Sequence, residues 1–550
     1  MQPALKTPIE AFLELERNNP ERIYFHQPIA GTSHTYTYRQ AGDEVRSIAA
    51  YLHSLNLPRG SRIGLVSKNC AHWIMADLAI MLSGHISVPL YPNVNAKTIR
   101  YVMEHSEAKV LFAGKLDDWN GIKPGVPDGV QIISFPFYES AGGKKWDDIL
   151  KSYQPLKDYF PNTLDDIMTI VYTSGTTGNP KGVMLKTRAL TYAMVNALNE
   201  IKPGSEHHRL FSYLPLSHIA ERMFVELNSF WLGAEIYFAE SLDLFVKNLQ
   251  EAAPTLFVGV PRIWTKFQMG ILEKLPQKKL DTLLSIPLVS SLVKKKIKKG
   301  LGLHKTMYFF SGAAPIPAAL LEWYQQLGIN IQEVYAMTEN CAYSHFTRED
   351  KIKTGWAGQP LPGVEVKIAE NGELLARSQA NMDGYYKEPE LTAQALRDGW
   401  LHTGDTAVVD DEGFVKITGR VKEIFKTDKG KYVAPTPIEM SLSKDQHIEQ
   451  VCIVGANLPQ PMALIVLSQD ARKKEKQAVK ESLNQTLESL NPSLESHERL
   501  KKMVVVKEEW TVENNFLTPS MKIKRKVVED QYSNQFSGWY SNAETVVWEV

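Results

Sequence analysis

The sequence predicts an α/β protein, with a large layered N-terminal domain of sheets packed with helices followed by a small α+β C-terminal domain. Three observations carry that expectation. Strand-length apolar runs alternate with amphipathic stretches from Arg62 onward, the pattern shortens into Gly-punctuated strands beyond about residue 360, and the texture changes again near Arg420. With 550 residues, 43% hydrophobic and 23% charged, the chain is long enough for two or more cores.

Taken in order, the N-terminus "MQPALKTPIEAFLELERNNPER" carries charges where an export signal would need an apolar core. "RIGLVS", "SVPLYP" and "AKVLFAG" are expected as strands and "AHWIMADLAIML" and "AKTIRYVMEHS" as the helices between them, giving a parallel or mixed sheet covered by helices. The most hydrophobic stretch, "WIMADLAIMLSGHISVPLY", is interrupted by Asp77 and His85, so a buried helix and strand fit it better than a membrane span. "RLFSYLPL", "EIYFA", "TLFVGV", "TMYFFSG" and "NIQEVYAM" continue as aromatic-rich strands. "VEVKIAENGELLARS" and "DDEGFVKITGR" read as shorter strands with Gly turns. The boundary is expected at "GRVKE", residues 419–423, which gives domains of 1–420 and 421–550. Beyond it, "QVCIVGA" and "MALIVLS" are strands beside the lysine-rich helical run "ARKKEKQAVKESLNQTLESL".

Composition narrows the partners. Lys plus Arg equals Asp plus Glu at 62 each, so no global charge draws a polyanion such as nucleic acid. Cys70, Cys341 and Cys452 form no Cys-x-x-Cys pair and no disulfide framework, which fits a reducing cytoplasm.

One loop is unusually rich in donors. "YTSGTTGNPKGVMLK", residues 172–186, follows the apolar run "IMTIV" with glycines that let backbone N–H groups approach an anion, together with threonine and serine hydroxyls and a lysine. It is not a Walker A loop, because Lys181 precedes Gly182 rather than a hydroxyl residue. Alone, it is equally a Gly/Thr-rich hairpin connection. Its pattern, Thr-Ser-Gly-Thr-Thr-Gly-x-Pro-Lys-Gly, resembles the phosphate loop of the adenylate-forming superfamily of acyl-CoA synthetases, adenylation domains and luciferases. Further motifs of that superfamily follow in order: "YLPLSHIAER", "SGAAP", "YAMTE", "GWLHTGD", "GRVKEIFKTDKGKYVAP" and "LTPSMKIKR".

The resemblance implies a two-step reaction. A carboxylate attacks the α-phosphate of ATP to give an acyl-adenylate and pyrophosphate, and a thiol then displaces AMP. The carboxylate is already ionised at neutral pH, so the first step needs positioning and charge neutralisation rather than a general base. By resemblance, Thr173, Ser174, Gly175, Thr176, Thr177, Gly178 and Lys181 hold the β- and γ-phosphates, and Glu339 is the Mg²⁺ ligand. Thr338 lies by the α-phosphate, Tyr335 stacks on adenine, Gly312, Ala313 and Ala336 line the nucleotide, and Asp405 with Arg420 takes the ribose hydroxyls. Lys522 serves adenylation from a mobile C-terminal domain, Lys422 is the hinge, and Gly430 and Lys431 approach CoA. Met521 stands where many members have glycine.

The branch resemblance in "YLPLSHIAER", "VGVPRIWTKF" and "GKYVAP" is to long-chain acyl-CoA synthetases, which makes fatty acid, ATP and CoA the expected substrates. A carrier protein in place of CoA, or an acyl-binding scaffold without turnover, remains the alternative. His218 either orients the acyl carboxylate, assists the thiol, or closes the pocket wall. The segment 283–305, with lysines from Lys294 to Lys299, is either a solvated helical face or a peripheral contact with an anionic membrane, interrupted at Pro287.

Overall fold

The computed structural model describes residues 5–160, 162–173, 179–204 and 207–549. Its described residues form two compact units: one runs to residue 401 without 366–375, and the other comprises 366–375 and 402 onward.

In the first unit the expected alternation becomes an eight-stranded sheet. Arg62–Val66 lies parallel to Ile86–Leu90 and to Val110–Ala113, and the parallel set extends to Gln131–Ser134. On the other side Ile86–Leu90 meets Ile167–Thr173, which turns back antiparallel into Lys181–Lys186, and Gly384–Tyr385 closes that edge. The helix Ala71–Leu82 is buried along its whole length, which explains why its sequence has no polar face. Asp77 is tolerated there because the Arg222 guanidinium, itself buried, pairs with it.

A second sheet runs Leu256–Gly259, Tyr308–Ser311 and Ile331–Tyr335 in parallel, then adds His345–Phe346 and Gln359–Pro360 antiparallel. Its core is aromatic, around Phe257, Trp264, Phe309 and Tyr324. Trp264 donates its indole N–H to the Gly259 carbonyl at 3.0 Å. A Cβ on Gly259 would lie 2.7 Å from that nitrogen, so the strand end must be glycine. A third, smaller sheet joins Arg209–Ser212, Glu235–Phe238, Ile23–Ile29 and Thr32–Thr37.

The second unit contains residues 402–409 of the strand Trp400–Val409, paired antiparallel with Val415–Arg420, the short hairpin Phe425–Lys426 and Tyr432–Val433, and a four-stranded sheet. In that sheet Ile448–Val454 is antiparallel to Met462–Leu467, and Lys502–Val505 and Val546–Trp548 continue in parallel. Val479, Leu483 and Leu487 cover one face, and Trp510, Phe516, Tyr532 and Trp539 cover the other. The lysine-rich run is two helices rather than one, Gln469–Arg472 and Lys476–Leu490, because apolar residues at four-residue spacing begin only at Val479. Pro287 likewise starts a new helix, Pro287–Leu301, in the first helical turn where its missing N–H costs nothing. Among the described residues no helix is long and apolar enough to cross a membrane.

Candidate active site

The antiparallel pair Ile167–Thr173 and Lys181–Lys186 brings Thr173 and Lys181 into register as the two ends of the donor-rich loop. Ser174, Gly175, Thr176, Thr177 and Gly178 lie outside the described residues. The neighbouring strand Gly384–Tyr385 places the Tyr385 ring 5.2 Å from the Lys181 ammonium. The Tyr385 hydroxyl donates to Glu339 Oε1 at 2.9 Å. One side chain thus links the loop lysine to the glutamate. Burial, reinforced by the Glu339 charge, holds the phenol well above its ordinary value, so it remains a donor across the working pH range.

Glu339 sits in the turn Thr338–Asn340, fastened by the Met337 N–H to Asn340 Oδ1 at 2.9 Å and by the Met382 N–H to the Glu339 carbonyl at 2.8 Å. Tyr385 engages Oε1, while the hard oxygen Oε2 suits a divalent cation. Among the described residues there is no cluster of three or more metal-ligating side chains, so a Mg²⁺ here would take one carboxylate and complete its shell with phosphate and water. The donor set fits that ion.

Gly312 follows the strand Tyr308–Ser311, and a Cβ there would stand 3.1 Å from the Val334 carbonyl oxygen; glycine therefore lets two adjacent strand ends stay close. Ala313 is exposed with φ +66°, a left-handed conformation. Tyr335 is in register with His345, their rings 5.8 Å apart. Ala336 is half-buried beside it and Thr338 is buried. His218 caps a short helix: its Nδ1 accepts the Ala220 N–H at 3.1 Å, which leaves the ring proton on Nε2. Glu221, in the same motif, accepts from Ser212 Oγ at 2.9 Å and the Tyr213 N–H at 3.0 Å, and burial pushes its carboxyl up to about 8.

In the second unit Asp405 and Arg420 are direct cross-strand partners, with Arg420 Nε 3.1 Å from Asp405 Oδ1. Lys422 is exposed just beyond. Lys431 and Lys522 end two loops of the same construction. In the first, the Thr427 N–H donates to the Lys431 carbonyl at 2.9 Å, the Gly430 N–H to the Thr427 carbonyl at 3.0 Å, and the Lys431 N–H to Thr427 Oγ1 at 3.3 Å. In the second, the Thr518 N–H donates to the Lys522 carbonyl at 2.8 Å, the Met521 N–H to the Thr518 carbonyl at 2.8 Å, and the Lys522 N–H to Thr518 Oγ1 at 3.0 Å. Each has a left-handed residue immediately before its lysine, Gly430 at φ +72° and Met521 at φ +64°. Glycine takes this conformation without a Cβ penalty, whereas Met521 does not. The Met521 side chain is 55% exposed, so the substitution brings backbone strain without crowding.

Tyr385 and Thr427 escaped the reading of the sequence, and Thr518 entered it only as part of the motif that ends at Lys522. The repeated Thr-x-x-x-Lys spacing in "TDKGK" and "TPSMK" could have signalled the two threonines, whereas nothing local to Tyr385 points to Glu339.

The fold and the residues assembled in each unit define an adenylate-forming enzyme. The chain belongs to the AMP-binding enzyme family, whose model matches residues 13–386, with the AMP-binding enzyme C-terminal domain matching 423–544. It is similar to the long-chain-fatty-acid–CoA ligase FadD15 of Mycobacterium bovis, 28% identical with 96% of each chain covered. It is also similar to long chain acyl-CoA synthetase 5 of Arabidopsis thaliana, 26% identical with 92% of this chain and 86% of that one covered. Among solved structures, the adenylation domain of a carboxylate reductase from Mycobacterium chelonae shares the fold, with a TM-score of 0.80 at 19% identity over 98% of this chain and 92% of the other.

Proposed function

We propose that this protein is a long-chain fatty acid:CoA ligase that forms an acyl-adenylate from ATP and passes the acyl group to CoA. The observation supporting the adenylation site is the linked set Lys181, Tyr385 and Glu339 beside the donor-rich loop. Similarity along nearly the whole chain to proteins named for long-chain fatty acid activation supports the substrate class.

In the first step a carboxylate oxygen forms a bond to the α-phosphorus and pyrophosphate leaves. Thr173, Ser174, Gly175, Thr176, Thr177, Gly178 and Lys181 neutralise the β- and γ-phosphates, and Tyr385 holds Glu339 and Lys181 in fixed relation as that charge departs. Bound at Glu339, Mg²⁺ supplies further neutralisation of phosphate charge. Thr338 contacts the α-phosphate, Gly312, Ala313 and Tyr335 hold the adenine, Ala336 lines the nucleotide close to where the acyl chain begins, and Asp405, braced by Arg420, accepts the ribose hydroxyls. Lys522 donates to the carboxylate and phosphate oxygens during adenylation. His218, with Nδ1 engaged and Nε2 protonated, donates to the acyl carboxylate rather than taking the thiol proton. In the second step the CoA sulfur bonds to the acyl carbon and AMP leaves, with Gly430 and Lys431 beside the pantetheine and Lys422 as the hinge between the two arrangements.

The same reading places the protein in the cytoplasm with a peripheral membrane contact at 283–305. Along the outward stripe of Pro287–Leu301, Leu288 is 84% and Leu292 68% exposed, followed by the exposed Lys295, Lys296 and Lys299. No acidic residue occurs from 282 to 321, so this stripe suits anionic headgroups and brings the enzyme to its substrate. The direct assay offers Mg-ATP with acids from acetate to oleate, with and without CoA. CoA-dependent acyl-CoA formation that peaks at long chains is expected; adenylate without thioester would transfer the acceptor role to a carrier protein.

A further inference from the structure

The C-terminal unit contains a second constellation of polar side chains that shares no residue with the site described above. At the start of Ile448–Val454 and its preceding turn, His447 and Asp445 are buried, with side chains 8% and 5% exposed. The His447 Nδ1 lies 2.9 Å from Asp445 Oδ1 and 3.1 Å from Ser482 Oγ. Asp445 is itself fixed, accepting the His447 N–H at 2.9 Å and the Thr486 hydroxyl at 2.6 Å. An imidazole whose Nδ1 proton is held by a carboxylate presents a bare Nε2, and 3.0 Å from that nitrogen is the Lys474 ammonium. The order is nucleophile, base and orienting carboxylate, the arrangement that activates side-chain nucleophiles generally.

Lys474 also lines an open surface depression of about 320 Å³. Leu467, Val479 and Trp548 give it an apolar wall, and Arg472, Lys476 and Lys507 give it cations, with Lys476 lying 4.9 Å from the Trp548 ring. An apolar wall suits an acyl chain and the cations suit phosphate.

We propose that Lys474 is a self-acylation site that takes an acyl group from an acyl-CoA thioester. Lys474 enters as an ammonium, and one proton passes through His447 to water to free the lone pair. The nitrogen bonds to the thioester carbonyl carbon, the carbon–sulfur bond breaks, and the thiolate leaves with that electron pair. The second proton, lost as the amide forms, passes through His447 to the thiolate, so the products are an amide on Lys474 and free CoA, with no oxidant or reductant required. The site rests on the ligase reading only in that the ligase reaction is one source of the thioester.

The test incubates the full-length protein with preformed acetyl-CoA or palmitoyl-CoA and, in a separate arm, with palmitate, Mg-ATP and CoA, and maps the acyl groups by peptide mass spectrometry. The ratio of label on Lys474 to label on its neighbour Lys473, which is exposed as Lys474 is, serves as the readout and remains valid for a less stable variant. With preformed thioester the expected ratio exceeds about 10, and it falls to near 1 in His447→Gln, in keeping with loss of a general base. Lys474→Arg should abolish the label while leaving ligase turnover unchanged. Label spread equally over Lys473, Lys474 and Lys476, or an unchanged ratio in His447→Gln, would overturn the proposal. Label in the preformed-thioester arm alone would keep the site and remove this protein as the source of the thioester.

Discussion

Removing the Tyr385 hydroxyl takes one charge-assisted hydrogen bond from Glu339 and leaves the ring beside Lys181. A bond of that kind is worth about 1.5 to 3 kcal/mol, so Tyr385→Phe should lower kcat/KM for Mg-ATP by at least about 10-fold, measured with ATP as the varied substrate. An unchanged value would mean that Glu339 needs no tether. At this scale the proposed roles of the loop, Glu339, Asp405 and Lys522 are marked in the sequence, because each lies in a contiguous motif. Tyr385 is not, since its contact depends on the pairing of Gly384–Tyr385 with Lys181–Lys186, two segments about 200 residues apart.

Two elements of the second unit have the same Thr-x-x-x-Lys design, and only one places glycine at the left-handed position. Met521→Gly should therefore stabilise the protein by up to roughly 1 kcal/mol, the low end of the cost of left-handed backbone offset by glycine's own entropy, read as a raised midpoint of chemical unfolding. A lowered midpoint would show that the Met521 side chain makes a contact worth more than the strain. In the first unit, the helix Ile219–Glu221 carries a carboxyl raised by burial from its ordinary 4.5 to about 8. Between those values the folded chain keeps a proton that the unfolded chain has released, so the stability from Glu221 is fully present below about 4.5 and is lost as pH rises through about 8. Wild-type stability should fall between about pH 5 and 8 more steeply than that of Glu221→Gln, measured by denaturation at each pH. Parallel curves for the two proteins would assign the pH dependence elsewhere. The strands and helices from Arg62 to Ala113 are legible because period and length agree there, while the break at Lys473–Glu475 is not, because charge alone does not end a helix.

Across the whole molecule, the large and small units are legible from the shift of texture, but the inclusion of 366–375 in the second is not, since short Gly-punctuated strands look alike on either side of a boundary. The basic stripe on Pro287–Leu301 predicts salt-sensitive binding to anionic vesicles. Replacing Lys295, Lys296 and Lys299 with alanine should weaken it by about 100-fold at about 1 kcal/mol per lysine, while turnover of a water-soluble acid is retained. Equal binding of variant and wild type in a sedimentation assay would assign the stripe to solvent. The central claim is that the two lysine loops serve different half-reactions. Its most direct test is to measure acyl-adenylate formation, and separately thioester formation from supplied acyl-adenylate, for Lys522→Ala and Lys431→Ala. Lys522→Ala should lose at least about 100-fold in the first and little in the second, the scale of one preorganised charge-stabilising donor, with the opposite pattern for Lys431→Ala. Equal losses in both half-reactions for either variant would contradict the division of labour.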